Sequence, residues 1–183
     1  MKYVYGKNEV LEPIDRDAYI YRLESDSVSL GSLVKERRFR KSLLIFDAAV
    51  RDEGLLGKIE AGFQEVGIEV VPYDAIEGRP CFRIVDDGYN RCLLAGCDSV
   101  VCVGGKAAVD VGKGINLLRF NGGNIEKYTN PLERRNTGSG LFCACRFEGT
   151  DEEGIVELDV WDNKYEACHV VECYCNYDVK LLD

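Results

Sequence analysis

The stretch VVCVGGKAAVDVGKG, residues 100–114, runs from β-branched residues through two glycines into a helix-like segment. Two glycines at a strand-to-helix turn let backbone N–H groups approach an anion, and the start of a helix adds favourable partial charge. The pattern is neither G-x-G-x-x-G nor a P-loop, since Gly112-Lys113 is followed by Gly114 instead of Ser or Thr. It is typical either of a phosphate cradle, intact or altered, or of a strand that simply turns into a helix.

The neighbouring segments repeat this alternation of strand and helix. SLLIFD (42–47) and IEVVPYD (68–74) are short apolar runs typical of buried strands, and DSVVCVGG supplies a third. Helix-like segments separate and follow these strands. We therefore predict an α/β fold, with a parallel sheet and helices on both faces, and ligands at the carboxyl ends of its strands.

Helical spacing identifies the residues expected to face the sheet. The first helix, ending at Gly67, carries Leu56, Ile59, Phe63 and Val66 on one face. The second is expected to begin near Cys81, to end at Gly96 and to bury four residues, namely Phe82, Val85, Tyr89 and Leu93. The third follows Gly105 and is weakened by Gly112 and Gly114.

Both ends of the chain differ from this central part. LFCACRF, GIVELDVW, YEACHVVECYC and DVKLLD in the last third are typical of strands, and KYVYG and AYIYRLE near the start alternate in the same way. We expect residues 1–183 to form one domain, with β-hairpin or strand additions at both ends of the central fold.

Composition excludes several classes of function. The net charge is −9, from 23 Lys and Arg against 32 Asp and Glu, so we expect neither nucleic-acid nor anionic membrane partners. The basic segment KERRFRK (35–41) is interpreted as a solvated helix end. No apolar run is long enough to span a membrane and the start lacks a signal-peptide pattern, so we expect a cytoplasmic protein.

The nine cysteines are interpreted as reduced thiols, most of them small apolar residues of the core. Cys168, Cys173 and Cys175 lie close to His169, the single histidine, and zinc is the alternative interpretation of this group. In one continuous strand, Cys173 and Cys175 would point to one side and Cys168 to the other, which disfavours a zinc site. We expect no metal site in this chain.

Residues 42–114 resemble the nucleotide-binding domain of the iron-containing alcohol dehydrogenases, which have the dehydroquinate synthase-like, Rossmann-like fold. The resemblance rests on the Asp that ends the first strand, on GLLGKIEAGFQEVGIEVV and on GCDSVVCVGGKAAVDVGK. The segment from LFCACRFEGTDEE to DVKLLD also resembles the family, but with fewer matching residues. The resemblance implies an NAD-type cofactor and, for the complete enzyme, oxidoreductase activity on primary alcohols or aldehydes.

The resemblance also implies cofactor-binding residues. Asp47 matches the acidic residue that faces the adenosine ribose and disfavours a 2′-phosphate, although a strand-end carboxylate in a turn is an equal interpretation. Gly104 and Gly105 match the first glycines of the pyrophosphate loop. The remaining matched positions are Lys106, Ala107, Asp110, Lys113, Gly149 and Thr150. A solvated helix residue is the alternative for Asp110.

Several positions depart from the family pattern. Lys106 replaces a third glycine, where its bulk would impair binding or its ammonium would pair with a phosphate. The polar loops of the family are replaced by Arg79-Pro80-Cys81 and Cys145-Arg146-Phe147, and Asp151-Glu152 adds carboxylates near the expected phosphates. These changes predict that NAD binding is weak or lost.

The family's metal ligands lie on a helical domain beyond the part matched by this chain. One interpretation is therefore the NAD-binding part of an oxidoreductase, truncated and inactive alone. The other is a non-catalytic homologue that acts as a binding or assembly module. In either case, we expect a homodimer or larger assembly that covers the face left by the absent domain.

Overall fold

The structure is a computed structural model that describes residues 19–20, 30–52, 54–74, 80–130, 132–133, 136, 138–145, 156–162, 167–173 and 175–181. Its strands are β1 (Tyr19–Ile20), β2 (Lys41–Phe46), β3 (Glu69–Tyr73), β4 (Ser99–Gly104), β5 (Gly138–Cys145), β6 (Val156–Asp162), β7 (Ala167–Cys173) and β8 (Cys175–Leu181). Its α-helices are α1 (Leu30–Glu36), α2 (Ala48–Asp52), α3 (Leu55–Glu65), α4 (Phe82–Ala95) and α5 (Lys106–Asn121). A 3₁₀ helix spans Ile125–Thr129.

Six strands form a parallel sheet in the order β1-β8-β5-β4-β2-β3, as expected for alternating strands and helices. The chain passes from β2 outwards to β3, then returns across β2 to β4 on its other side. This reversal makes the boundary between β2 and β4 the switch point of the sheet, and in open α/β sheets the ligand crevice lies outside the carboxyl ends of the strands at such a point.

Alternate residues of each central strand enter two separate cores. Leu43, Cys102 and Leu141 lie in one core with residues of α4 and α5, whereas Leu44, Val101 and Phe142 lie in the other with residues of α1 and α3. Because strand side chains alternate, one strand supplies both layers. The predicted three-layer α/β fold is confirmed.

Helix α5 runs through the two glycines expected to weaken it. A Cβ on Gly112 would lie well inside contact distance of the Cys102 Sγ, and one on Gly114 would lie 2.8 Å from the Val85 Cγ1. The two glycines therefore let α5 pack directly against β4 and α4, and this close packing compensates for their low helix propensity.

The predicted buried face of α4 is partly wrong. Leu93 is 57% exposed, whereas Ile84, Val85, Gly88 and Cys92 are buried. The apolar spacing follows one side of the helix, but the contact with α5 lies on an adjacent side: a Cβ on Gly88 would meet Ile115. Packing of the two helices, rather than apolar spacing alone, determines which residues are buried.

The terminal strands also correct one expectation. Cys173 ends β7, which pairs antiparallel with β6, whereas Cys175 begins β8 of the parallel sheet. The two cysteines therefore do not share a strand. The predicted strands of the last third are present, and near the start the structure describes only Tyr19–Ile20 as a strand.

The basic segment KERRFRK (35–41) lies largely at the surface, as predicted for a solvated helix end. Lys35, Arg37 and Arg38 are exposed at the end of α1, and Phe39 packs against Phe142 with ring centroids 5.7 Å apart. None of the helices in the described ranges is long and apolar enough to cross a membrane.

Candidate functional site

The candidate site is the crevice at the switch point, formed where β2 leads into α2 and β4 leads into α5. Asp47 follows β2 directly, and Gly104-Gly105 joins β4 to α5. Although 58 residues separate Asp47 from Gly105, the pairing of β2 with β4 places both at one edge of the sheet. The structure thus brings together the acidic residue and the glycine turn that the sequence singled out.

Asp47 connects the two strand ends through both carboxylate oxygens. Its Oδ1 accepts a hydrogen bond from the Val50 N–H at 3.0 Å, which caps the short helix α2. Its Oδ2 accepts one from the Gly105 N–H at 2.8 Å. The alternative interpretation, a strand-end carboxylate in a turn, therefore describes the contacts that Asp47 makes within the chain.

Gly104 is required by this arrangement. Its φ of +129° belongs to the region that favours glycine, and a Cβ there would clash with the Asp47 carboxylate. Gly105 follows in an extended conformation, with φ −84° and ψ −174°, and occupies the N-cap position of α5. The turn therefore brings the backbone close to the carboxylate and to the crevice.

The start of α5 has the features of an anion site. In the described part of the chain, no side chain caps this 16-residue helix. The first N–H groups of a helix lack intrahelical partners and carry partial positive charge, so phosphates bind there readily. Lys106 is the first residue of α5 and Ala107, which is half-buried, the second. The side chain of Lys106 is not among those that the structure describes.

Asp110 and Lys113 lie deeper in the fold. Their side chains are each about 2–3% exposed, and the Lys113 Nζ lies 3.9 Å from the Asp110 Oδ1. The alternative that Asp110 is solvated is therefore wrong. The two residues form a buried ion pair within α5, so removing either partner would leave a buried charge without its counter-charge.

The other predicted site residues are only partly described. Gly149 and Thr150 lie outside the described residues, as do Arg79, Arg146 and Phe147. Pro80 and Cys81 are buried before α4, on the carboxyl side of β3. Within the described ranges, no three His, Cys, Asp or Glu side chains cluster as metal ligands. The side chain of His169 lies outside them.

Sequence reasoning missed the direct contact between Asp47 and the glycine turn. Both partners were singled out separately, but nothing local in either segment indicates that the carboxylate reaches the Gly105 N–H. Knowledge of the strand order would have revealed the contact, because the residues that follow adjacent parallel strands are neighbours.

A doubly wound parallel sheet with a glycine turn and an acidic residue at its switch point is the form of a dinucleotide-binding domain. The model of the family "Iron-containing alcohol dehydrogenase" matches residues 20–145. This chain belongs to the iron-containing alcohol dehydrogenase family.

Individual relatives agree with this assignment. Alcohol dehydrogenase 4 of Schizosaccharomyces pombe is 36% identical over 95 residues, which cover 52% of this chain and 22% of the relative. The NAD-dependent methanol dehydrogenase of Bacillus methanolicus is 28% identical over 146 residues, covering 74% and 38%. The chain therefore spans well under half the length of these relatives.

The fold has solved counterparts. The crystal structure of NADH-dependent butanol dehydrogenase A from Thermotoga maritima superposes with a TM-score of 0.79 at 16% identity, covering 92% of this chain and 44% of that protein. At this identity, the likeness concerns the fold.

Proposed function

We propose that this chain binds an NAD-type dinucleotide as the cofactor-binding part of an alcohol-oxidising enzyme. The observation that carries the proposal is the meeting of Asp47, Gly104 and Gly105 at the switch point, beside the uncapped start of α5. The pyrophosphate would lie against the Gly105 turn and the first N–H groups of α5, where backbone donors and the helix dipole favour an anion.

Asp47 would select the cofactor. Its carboxylate stands beside the turn, so an adenosine ribose bound across the crevice would place its hydroxyl groups near a hydrogen-bond acceptor. A 2′-phosphate at the same place would face a negative charge at short range. We therefore expect NAD to bind more tightly than NADP, in agreement with the cofactor named for the methanol dehydrogenase relative.

The reaction of the complete protein is a further proposal. The printed names of the relatives point to alcohols as substrates, and hydride transfer would require a substrate held against the nicotinamide. The described residues hold no cluster of three His, Cys, Asp or Glu side chains. We expect the chain alone not to oxidise simple alcohols, even with added iron or zinc.

One observation favours the second candidate, a non-catalytic binding or assembly module. The Gly105 N–H that a pyrophosphate would use already donates to the Asp47 Oδ2 at 2.8 Å. A dinucleotide would have to displace this internal contact, which lowers the affinity by the free energy of the lost hydrogen bond. Lys106 either adds to that loss through its bulk or offsets it by pairing with a phosphate.

Isothermal titration with NAD, ADP-ribose and NADP tests the proposal. We expect NAD and ADP-ribose to bind in the millimolar range or more tightly, and NADP more weakly. Asp47→Asn should reduce the preference for NAD over NADP about tenfold, because it removes a charge interaction of about 1.4 kcal/mol.

Asp52→Asn is the matched control. Asp52 belongs to the same short helix α2, and its side chain is 72% exposed with an Arg51 contact of 3.4 Å. We expect this variant to bind all three ligands as the unmodified chain does. No heat from NAD or ADP-ribose with the folded chain would refute cofactor binding and leave the second candidate.

A further inference from the structure

A pair of cysteines occupies the end of α4, at the edge of the sheet opposite the glycine turn. Gly96, with φ +68°, ends the helix, and its N–H donates to the Leu93 carbonyl at 3.0 Å. The Cys97 N–H donates to the Cys92 carbonyl at 2.9 Å. These two hydrogen bonds define a Schellman motif, in which the first residue and the last normally place apolar side chains in contact. Here both positions are cysteines.

The two thiols differ in their access to solvent. Cys92 is 1% exposed and lies in the core, whereas Cys97 is partly exposed. The Cys92 thiol donates a weak hydrogen bond to the Cys97 carbonyl, with 3.9 Å between the sulfur and the oxygen. A reagent in solution therefore reaches Cys97 first, with Cys92 directly behind it.

The surroundings favour loss of a proton from the pair. The Cys97 thiol, by donating to the Cys92 sulfur, lowers the pKa of Cys92, and the nearby Arg119 guanidinium acts in the same direction. The same hydrogen bond, together with burial, raises the pKa of Cys97. Arg119 is held in place by the Asn116 Oδ1, at 2.7 Å, and by the Asp98 carbonyl.

The negative charge of Asp98 opposes this effect on Cys92. However, its carboxylate accepts hydrogen bonds from the backbone N–H groups of Arg40, at 2.9 Å, and Lys41, at 3.0 Å. The carboxylate is thus held by donors on β2 and the residue before it. The two thiols and the guanidinium form a compact cluster in which one sulfur can carry a negative charge.

We propose that Cys92 and Cys97 form a reversible redox pair that a hydroperoxide converts into a disulfide. The Cys97 sulfur attacks one peroxide oxygen while its proton passes along the thiol–thiol hydrogen bond to the Cys92 thiolate, so that an S–O bond forms, the O–O bond breaks and the other oxygen leaves as hydroxide, which takes up a proton to become water. The Cys92 sulfur then attacks the Cys97 sulfur: the S–S bond forms, the S–O bond breaks, and the departing hydroxyl group takes the Cys92 proton and leaves as water. With hydrogen peroxide, two thiols yield one disulfide and two waters, and two electrons pass from sulfur to oxygen.

The backbone geometry suits this bond. A disulfide requires two neighbouring backbones with side chains that face each other. The backbone hydrogen bond from Cys97 to Cys92 makes the backbones neighbours, and the hydrogen bond between the two thiols brings the side chains together. Cys102 and Cys143 offer a comparison, since they are register partners on β4 and β5 and both are fully buried. They lack the exposed member that would meet the oxidant.

The test exposes the folded chain to hydrogen peroxide, followed by alkylation in denaturant and digestion with trypsin. Cleavage after Arg91 and Lys106 releases one peptide that contains Cys92, Cys97 and Cys102. We expect this peptide to become two hydrogens lighter and to carry alkyl groups only on Cys102. Dithiothreitol should restore alkylation of all three cysteines.

Alkylation of Cys92 and Cys97 that persists after peroxide would overturn the proposal, as would oxidation of Cys97 to a sulfinic acid without a link. In Cys97→Ser, Cys92 should remain alkylated after the same treatment, whereas loss of its label would contradict the pairing. Cys143→Ser is the matched control and should still form the link. The readout is independent of dinucleotide binding, so this proposal and the proposed function can fail separately.

Discussion

Gly112 determines how closely α5 approaches the sheet. Its missing side chain makes room for the Cys102 Sγ on β4, and the residues on both sides of it in α5 are buried. A low helix propensity at this position is outweighed by the packing that it permits. A substitution at Gly112 therefore tests the packing of α5 against β4 directly.

We expect Gly112→Ala to lower the free energy of unfolding by about 1–3 kcal/mol, because the new methyl group overpacks the core. Gly57→Ala is the control: Gly57 lies in α3 with open space around it, so alanine should leave the stability unchanged or raise it by up to about 1 kcal/mol. Urea unfolding measures both. Equal effects of the two substitutions would contradict the packing argument.

A double substitution separates overpacking from helix propensity. Cys102→Ala removes the sulfur that the new methyl group would meet, so Gly112→Ala should cost less in that background. The resulting coupling energy should be at least about 0.5 kcal/mol, as is typical of residues in contact. Strict additivity would show that the two positions do not compete for the same space.

At the scale of elements, Asp98 joins β2 to the turn before β4. Its carboxylate accepts hydrogen bonds from the Arg40 and Lys41 N–H groups, while its own N–H donates to the Lys41 carbonyl at 2.9 Å. Next to it, the hydroxyl groups of Ser42 and Ser99 lie 2.6 Å apart in the interior. This network aligns the N-terminal ends of β2 and β4, the two strands whose carboxyl ends form the switch point.

Asp98→Ala should lower the free energy of unfolding by about 1–3 kcal/mol, because two backbone donors lose their acceptor. Asp74→Ala is the matched control. Asp74 has a 58% exposed side chain with an Arg51 contact of 3.3 Å, and exposed ion pairs contribute at most about 1 kcal/mol. Chemical unfolding measures both variants. A larger loss of unfolding free energy for Asp74→Ala than for Asp98→Ala would contradict the proposed role of the Asp98 hydrogen bonds.

Asp86 makes the junction of α4 with the 3₁₀ helix sensitive to pH. Its Oδ1 accepts from the Ile125 N–H at 2.8 Å, and burial raises the pKa of its carboxyl despite this hydrogen bond. Since the folded pKa exceeds the unfolded one, the folded state binds more protons between the two values. The contribution of Asp86 to stability is therefore present below the unfolded pKa and lost as pH rises through the folded pKa.

Asp86→Asn should remove this dependence while retaining an oxygen acceptor for the Ile125 N–H. The free energy of unfolding of the unmodified chain, minus that of Asp86→Asn, should therefore be larger at acidic pH than at neutral pH. Asp52→Asn, at an exposed carboxylate of α2 that lies 3.4 Å from Arg51, serves as the control. Thermal unfolding across the acidic range provides the measurement, and a difference from Asp86→Asn that is constant with pH would refute the argument.

At the scale of the whole molecule, large exposed apolar side chains lie near the ends of α4 and α5. Leu94 is 91% exposed, Leu93 57% and Phe120 39%. The contact of Arg119 with the Asp98 carbonyl places the end of α5 beside the start of β4. These side chains therefore lie at the edge of the sheet opposite the glycine turn, away from the proposed cofactor crevice.

The expectation of a homodimer or larger assembly stays a prediction. Sedimentation equilibrium of the pure chain over a wide concentration range would test it, and we expect a mass of at least twice 20.5 kDa. A monomeric mass that persists at the highest concentration would contradict the prediction. Adding NAD in the same experiment would reveal whether ligand and assembly are coupled.

The sequence by itself determined the alternation of strands β2, β3 and β4 with helices α3, α4 and α5, but not the short helix α2, because apolar spacing and terminal glycines are local properties of the chain that a helix of five residues does not display. It also identified Asp47, Gly104 and Gly105 as separate candidates. It did not determine the buried side of α4 or the burial of Asp110, since both depend on which elements pack together. Only the tertiary structure decided that β2 and β4 are neighbours, which brings the Asp47 carboxylate to the Gly105 N–H across 58 residues of sequence.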